Sequence, residues 1–326
     1  MASLSSLNFN MKESPLNSLQ GFGKRSLFAF AMSSFLLVIW TLELSRSTFN
    51  PQSHISPSNY EAPNMTKETH APSVQPSPIP NPLSVPQTPG NVAAIIETRP
   101  LKPLIPLILH FSSVLGPEWP IHIFTTQTTI PYSRSLLRAL DSKRVQIRRL
   151  PAESTFTDRN SVSEFLTTPW FWEQLAPAGH VLLFQADSIL CYNAPMRVED
   201  FLRYDFVGAP IDPTIGSGMN GGLSLRRRQL MLEITLGYSW REELAKAENP
   251  QDPKVEFEDQ WYWHKLHDMG ARMPNREEAS KFSVETIWYE TPLGYHQVQR
   301  WNMDHVETLD QYCPEYKLAT DLLLPS

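Results

Sequence analysis

Short apolar runs alternate with amphipathic stretches from residue 91 onward, and this alternation constrains the fold more than any other feature of the chain. Strands are predicted at Val92–Ile96, Ile121–Thr125, Val145–Leu150 and Val181–Phe184, and helices at Pro103–Leu115, Ser133–Leu140 and Trp170–Leu175. The polar stretch Pro151–Thr168 is expected to be a loop. A β-α-β-α succession predicts an α/β domain over residues 91–326, with a mainly parallel sheet covered by helices.

Residues 45–90 have a composition that cannot support a packed core. They are rich in Pro, Ser, Thr and Asn and contain few large apolar residues, so burial cannot offset the entropy of ordering them. We expect an extended, proline-rich stalk. Asn64-Met65-Thr66 within it is a glycosylation sequon, which is usable only if the stalk faces a secretory lumen.

The segment Ser26–Leu42 contains no charged residue and predicts a transmembrane signal-anchor helix over residues 26–44. Such a span reaches about 25 Å, slightly under a typical ~30 Å hydrocarbon core, which favours the thinner membranes of the endoplasmic reticulum or Golgi. Basic residues precede it, so residues 1–25 are expected to be a cytoplasmic tail and the folded domain luminal, a type II arrangement. The alternative is a cleaved signal peptide, although the preceding tail is long and no small-x-small cleavage site follows.

The net charge bears on the kind of binding partner, and the cysteine count does not decide whether the two cysteines form a disulfide. The net charge is −6 with acids and bases interspersed, which argues against nucleic acid as the main partner. Cys191 and Cys313 are too few for a disulfide framework. One bridge in an oxidising lumen and two isolated thiols are both consistent with the sequence.

Polar residues that directly follow strands are the first candidates for chemistry, because open α/β sheets bind ligands at the carboxyl ends of their strands. Gln185-Ala186-Asp187-Ser188 follows the predicted buried strand Val181–Phe184. Asp187 could bind a divalent cation through its hard oxygens, or it could cap the next turn.

The glycine-rich segment 216–222 formally contains the spacing G-x-G-x-x-G. A dinucleotide fingerprint should follow the first strand and open a helix, whereas this segment lies in mid-domain and leads into the strand-like Leu223–Leu225. NAD(P) binding is therefore disfavoured. The glycines would instead let backbone approach a ligand closely, or make a tight connection.

Acids and a histidine complete the set of candidate residues. Glu256-Phe257-Glu258-Asp259 precedes the helical stretch Gln260–Met269, where the helix dipole favours acids and a carboxylate could also act as a general base. His296 ends Pro292–His296 and could be structural or functional. His264 and His267 could share a helix face, but the sequence offers no nearby ligand that would complete a zinc site.

Taken in order, these groups resemble those of glycosyltransferases of the A fold. From Val92 to about Trp301 the chain resembles, more closely, a fungal family of uncharacterised glycosyltransferase-like domains. The residues that carry the resemblance are Ile96-Glu97-Thr98-Arg99-Pro100, Phe184–Cys191, Asp205–Pro210, Asn220–Arg226, Glu258-Asp259 and Pro292–His296.

The resemblance implies a luminal glycosyltransferase that moves a sugar from a nucleoside-diphosphate sugar to a glycan or glycoconjugate. Asp187 and His296 would hold Mn²⁺ or Mg²⁺, which offsets the charge of the leaving diphosphate. Asp259, with Glu258 beside it, would take the proton of the acceptor hydroxyl. That role fits inversion, and a retaining enzyme would need another. The donor-binding residues that the resemblance implies are Glu97, Arg99, Gln185, Asp187, Asn220, Gly221 and Gly222.

One position departs from the family pattern. Transferases of this fold often carry Asp-x-Asp, and Gln185 stands at the first position here, which leaves the metal requirement open. The rival hypothesis is a non-catalytic luminal domain of the same fold that binds glycans or supports another transferase. The two hypotheses differ in whether Asp187, Asp259 and His296 converge.

Overall fold

The computed structural model describes residues 90–127, 133–247, 249, 252 and 256–320. The predicted cytoplasmic tail, the predicted transmembrane helix and nearly all of the predicted stalk lie outside these residues. Among the helices of the described ranges, none has the length and apolar character that a membrane crossing requires.

A six-stranded mixed sheet forms the centre of the domain, in the order β3-β2-β1-β4-β7-β6. Its strands are β1 Val92–Ile96, β2 Ile121–Thr125, β3 Val145–Arg149, β4 His180–Phe184, β6 Phe206–Pro210 and β7 Met219–Arg227. The first four pair in parallel, and β7 runs antiparallel to both β4 and β6. Strands β1, β2 and β4 are almost wholly buried, as the apolar runs of β1 and β4 predict. The predicted α/β class is confirmed, with a mixed sheet.

A smaller sheet of three strands, in the order β5-β9-β8, lies beside it. Its members are β5 Ser188–Leu190, β8 Ser283–Val284 and β9 Gly294–His296. Strand β5 follows β4 after a short turn and pairs antiparallel with β9, so that Ser188 stands opposite His296. This pairing brings residues that are far apart in sequence to the carboxyl end of β4.

The helices are α1 Leu104–Leu115, α2 Arg134–Asp141, α3 Arg159–Leu166, α4 Pro169–Glu173, α5 Arg228–Gly237, α6 Trp240–Lys246, α7 Glu258–Asp268, α8 Arg276–Phe282, α9 Val298–Trp301, α10 Val306–Tyr312 and α11 Lys317–Thr320. Helix α3 corrects the prediction of a loop over 151–168. Its polar residues hide the helical period, and only Ser163 and Leu166 are buried. Asp158 starts it with a capping box, accepting a hydrogen bond from the amide of Ser161.

Cys191 and Cys313 form a disulfide and are both buried, which decides between the two alternatives left by the sequence. Cys191 directly follows β5, and Cys313 directly follows α10. The bridge therefore ties the small sheet to the C-terminal helices. It closes a long loop, with a sequence separation of 122.

Candidate active site

A cavity of about 700 Å³ opens at the carboxyl ends of β1 and β4. This is the edge at which open α/β sheets bind ligands. Every residue predicted for the site lines the cavity except Gly221, which lies in the strand behind it: Glu97, Arg99, Gln185, Asp187, Asn220, Gly222, Glu258, Asp259 and His296. Asp187, Asp259 and His296 therefore face one common space.

Two groups of charged and polar side chains lie close to β7 in this site. The first, called the α7 cluster below, consists of Arg226, Glu258 and Asp259. The second, called the β9 cluster, consists of Gln185, Asp187, Glu285 and His296. Strand β7 lies between the two clusters.

Asp259 lies in the first turn of α7, and only 9% of its surface is accessible to solvent. Its Oδ2 accepts a hydrogen bond from the amide of Gly221 at 2.7 Å, and its Oδ1 accepts one from the amide of Gln260 at 2.7 Å. Burial raises the pKa of Asp259 to about 7, and the charge of Glu258 adds to the rise, while the two amides and Arg226 act in the opposite direction. A carboxyl with this pKa can both hold and release a proton near neutral pH.

Glu258 has both carboxylate oxygens engaged by Arg226. The two guanidinium nitrogens lie 2.9 and 3.0 Å from the oxygens, a bidentate pair. Arg226 is fully buried, with its guanidinium 5.2–6.0 Å from the ring centres of Phe206, Tyr262 and Trp172. Burial lowers the pKa of Arg226, but Glu258 outweighs that effect, so the guanidinium stays charged. Of the two adjacent acids, Asp259 is the one without a side-chain cation bound to its oxygens.

Two consecutive glycines of β7 allow both clusters to approach the strand. A Cβ on Gly221 would collide with all three side chains of the α7 cluster, and a Cβ on Gly222 would collide with the imidazole of His296. Only glycine fits at either position. The predicted glycine-rich loop is therefore partly strand. Its role is to admit neighbouring side chains, and it opens no helix of the kind a dinucleotide fingerprint requires.

His296 is buried in the β9 cluster, with polar atoms facing both ring nitrogens. Its Nε2 lies 3.1 Å from Oε1 of Gln185 and 3.4 Å from Oδ1 of Asp187, and its Nδ1 lies 3.2 Å from Oε1 of Glu285. Burial lowers the pKa of His296, but the two carboxylates outweigh it and bring the value to about 10. Burial likewise opposes ionisation of Asp187, and contact with His296 reverses this and holds its pKa below the usual range.

The β9 cluster has a donor set that fits a divalent cation. An amide oxygen, a carboxylate oxygen and Nε2 of His296 lie close together at the cavity surface, and Mn²⁺ accepts all three donor types once the imidazole has lost the proton that its two carboxylate neighbours stabilise. Glu285 would then orient the ring from Nδ1, as outer ligands of metal sites commonly do. In the described ranges no three His, Cys, Asp or Glu side chains form a complete metal site, so water or substrate would supply the remaining ligands.

Glu97 and Arg99 form a second bidentate pair just after β1. Nε and one terminal nitrogen of Arg99 lie 2.9 and 2.8 Å from the two oxygens of Glu97. Glu97 is buried, and the Arg99 side chain is 67% exposed. Unlike Arg226, this guanidinium keeps a face open to the cavity.

Several cavity residues were not predicted from the sequence. Phe156, Asp158 and Arg159 come from the segment predicted as a loop, and Glu285, Gln297, Arg300 and Trp301 come from the C-terminal part. The Asp-x-x-Ser spacing at the start of α3 was a usable signal for the first group. Gln297 has a left-handed backbone, with φ of 51°, and nothing in its sequence context indicates this.

His264 and His267 do not line the cavity. Nε2 of His264 lies 3.1 Å from the hydroxyl of Ser217, and the ring of His267 stacks on that of Trp263.

Comparison with known proteins gives one family match and several similar structures. A sequence profile described as "Protein of unknown function (DUF5672)" matches residues 144–296, a stretch that contains both clusters. No curated protein matches the chain significantly.

Among solved structures, the apo-form glycosyltransferase GlyE of Streptococcus pneumoniae TIGR4 is 13% identical, with a TM-score of 0.45 over 66% of this chain and 57% of GlyE. S. aureus TarS 1–349 is 12% identical, with a TM-score of 0.39 over 68% and 63% of the two chains. The same fragment in complex with UDP-GlcNAc gives 10% and 0.32 over 44% and 46%. This chain therefore spans less than two thirds of each of these proteins.

Proposed function

We propose that this protein is a glycosyltransferase that moves a sugar from a nucleoside-diphosphate sugar to a hydroxyl group of a glycan or glycoconjugate. The observation that carries the proposal is the arrangement of one cavity. It holds a buried carboxyl group whose pKa lies near neutrality, and across β7 it holds a separate donor set for a divalent cation.

The cavity suits the donor in size and charge. Its volume falls within the 300–1,000 Å³ or so that small-molecule sites usually occupy. Three guanidinium groups line it, those of Arg99, Arg159 and Arg300, and each can bind phosphate oxygens. Arg300 also stacks on the ring of Trp301 at 4.6 Å, which holds the charge at the cavity rim. A cation bound at the β9 cluster would neutralise the diphosphate as it leaves.

Asp259 supplies the chemistry at the acceptor. The acceptor oxygen forms a bond to the anomeric carbon, the bond from that carbon to the diphosphate oxygen breaks, and Asp259 takes the hydroxyl proton. Glu258 cannot readily substitute, because Arg226 holds both of its oxygens. A single base on the acceptor side fits inversion at the anomeric carbon.

A non-catalytic domain is the second candidate, and one observation favours it. Both oxygens of Asp259 accept backbone hydrogen bonds, as an acid that only stabilises a helix start would. Such a domain would bind glycans or support another transferase. Because such a domain catalyses no reaction, substitution of Asp259 would not change any activity of its own.

A luminal, type II location in the Golgi or endoplasmic reticulum membrane remains part of the proposal. The disulfide between Cys191 and Cys313 supports it, because buried disulfides persist mainly in oxidising compartments. Protease added to sealed microsomes should spare the folded domain, and Asn64 should carry a glycan that endoglycosidase removes. Digestion of the domain in intact vesicles would refute this orientation.

Calorimetry on the full chain in detergent tests the donor. UDP, GDP and their common sugar conjugates are titrated in Mn²⁺ and again with chelator. We expect one nucleotide to bind, and to bind more tightly with Mn²⁺. Binding that ignores the metal would mean that Gln185 marks a metal-free site, and no binding under either condition would favour the non-catalytic domain.

A further inference from the structure

The side chain of Arg226 supports two neighbours of Asp259, namely Gly221 and Glu258. Its Nε donates to the hydroxyl of Ser224 at 2.9 Å, and that hydroxyl donates to the carbonyl oxygen of Gly221 at 2.9 Å. The amide of Gly221 then donates to Oδ2 of Asp259. The terminal nitrogens of Arg226 hold Glu258, the residue directly before Asp259. Both flanks of the Asp259 carboxyl are thus fixed from one guanidinium.

Stability alone does not explain an ion pair in this position. Removing two charges from water costs much of what their attraction returns, and well-packed apolar side chains often serve as well. The aromatic rings around Arg226 could pack against an apolar side chain without a charge inside. We therefore expect a role of the Arg226–Glu258 pair other than packing, and the adjacent carboxyl group of Asp259 is the group on which the pair can act.

The charges around Asp259 act in opposite directions. Glu258, on the same helix, makes ionisation of Asp259 harder, and Arg226, on β7, makes it easier. From α3, which packs on α7, Asp158 and Arg159 line the same cavity. On the other side of α7, the buried side chains of α5 are uncharged: Met231, Ile234 and Thr235.

We infer that the buried Arg226–Glu258 pair is a positioning device for Asp259, which fixes the direction of its carboxyl group and sets the pH range in which it accepts a proton. This inference rests on the proposed function for the catalytic use of Asp259. The positioning itself can be measured without any substrate. Glu258 is accordingly a positioning residue, while Asp259 is the group that contacts the acceptor.

The test compares the pKa of Asp259 in three proteins: wild type, Glu258→Gln and the double variant Arg226→Met/Glu258→Gln. Glutamine keeps a carbonyl oxygen for Arg226 but removes the negative charge. The double variant leaves no buried charge unpaired, so it should fold even if other Arg226 variants do not. Carboxyl carbons are followed by NMR in full-length protein with ¹³C-labelled aspartate, and Asp259→Asn assigns the signal.

We expect the pKa of Asp259 to be highest in the wild type and lowest in Glu258→Gln, with a difference on the order of one to three pH units. The double variant should lie between them, because it also loses the cation that favours ionisation. Arg203→Gln, which breaks the exposed pair of Arg203 with Glu278, is the control and should leave the pKa unchanged. An unchanged pKa of Asp259 in both cluster variants would overturn the inference.

The pH dependence of kcat/KM tests whether the Arg226–Glu258 pair affects turnover through Asp259. Its acidic limb should move to lower pH in Glu258→Gln and part of the way back in the double variant. If the NMR order holds but no nucleotide sugar is turned over, the proposed function fails and the inference about positioning stands. If turnover occurs and the pKa of Asp259 is the same in all three proteins, the inference fails and the proposed function stands.

Discussion

The two clusters on either side of β7 contain similar groups but balance their charges differently. The α7 cluster has two carboxylates and a guanidinium, which stays charged at any pH a protein meets. The β9 cluster has two carboxylates and an imidazole, which can give up its proton. A permanent cation cannot be exchanged for a metal ion, whereas a histidine nitrogen can become a ligand. The first arrangement therefore suits proton transfer, and the second suits exchange of the cation.

Both clusters have buried members, His296 and Glu285 among them, but they differ in how much of their remaining side chains is accessible. Aromatic rings enclose Arg226, and its partner Glu258 is nearly inaccessible. In the β9 cluster Gln185 is exposed, and 26% of the Asp187 side chain remains accessible. Water and ions can reach Gln185 and Asp187 of the second cluster directly. We expect substitutions in the first to affect chemistry and stability, and those in the second to affect ligand affinity.

The largest effect expected is that of Asp259→Asn on turnover. The amide keeps the shape of the side chain but cannot accept the proton, so kcat should fall by about 10²–10⁴-fold. Donor affinity should barely change, because the interaction matters mainly in the transition state. Steady-state kinetics and calorimetry are compared, with a thermal melt to confirm folding.

Asp200→Asn is the matched control for Asp259→Asn. Asp200 caps a short 3₁₀ helix away from the cavity, so its loss should leave kcat unchanged. A folded, fully active Asp259→Asn protein would remove Asp259 from the mechanism and erase the proposed contrast between the clusters.

Arg226→Met should give the next largest effect, on stability. It leaves Glu258 buried without its partner, which typically lowers the free energy of unfolding by about 3–5 kcal/mol. Urea unfolding measures the loss, and the double variant with Glu258→Gln should recover most of it. A loss no smaller in the double variant would show that Arg226 contributes by packing rather than by charge.

Glu285→Gln tests the β9 cluster. Glu285 contacts Nδ1 of His296, whereas the proposed metal ligand is Nε2. If Glu285 orients a metal-binding imidazole, the affinity for Mn²⁺ should fall by about 10–100-fold. Calorimetry with Mn²⁺ alone measures this, and Glu277→Gln, on the exposed face of α8, is the control. The pH limb assigned to Asp259 should not move, and a shift there would mean that the clusters are not independent.

The last prediction concerns the dependence of stability on pH, which requires no substrate or metal. The pKa of Asp259 is raised to about 7 in the folded protein, above its unfolded value, so the folded state binds the extra proton in between. Its contribution to the free energy of unfolding should therefore decrease as pH rises from about 4 to 7, by up to about 4 kcal/mol. Urea unfolding of wild type and Asp259→Asn across this range measures the difference. Parallel slopes would contradict the raised pKa.

The strands were predictable because burial on both faces leaves a plain signal. Val92–Ile96 and Ile121–Thr125 both have the predicted bounds: the first is an uninterrupted apolar run, and the second is apolar except for His122 and Thr125. Helix α3 was missed because a mostly exposed helix carries no apolar period. The position of a capping residue was the remaining clue there.

The site was predictable only where a motif marked it. Asp187, Asp259 and His296 follow recognisable patterns, and they line one cavity, while the roles assigned to them stay predictions. Glu285 and Arg226 could not be assigned, since a buried pair depends on which elements pack together and not on local sequence. The side chain that faces each oxygen is a property of the tertiary structure.

The consecutive glycines of β7 have a consequence for the distance between the two clusters. Neighbouring residues of a strand point to opposite faces, and their Cα atoms are always about 3.8 Å apart. Gly221 meets one cluster and Gly222 meets the other, so a single peptide unit forms the partition between them. Adjacent positions of one strand therefore contact both of the clusters that a substrate in the cavity would meet.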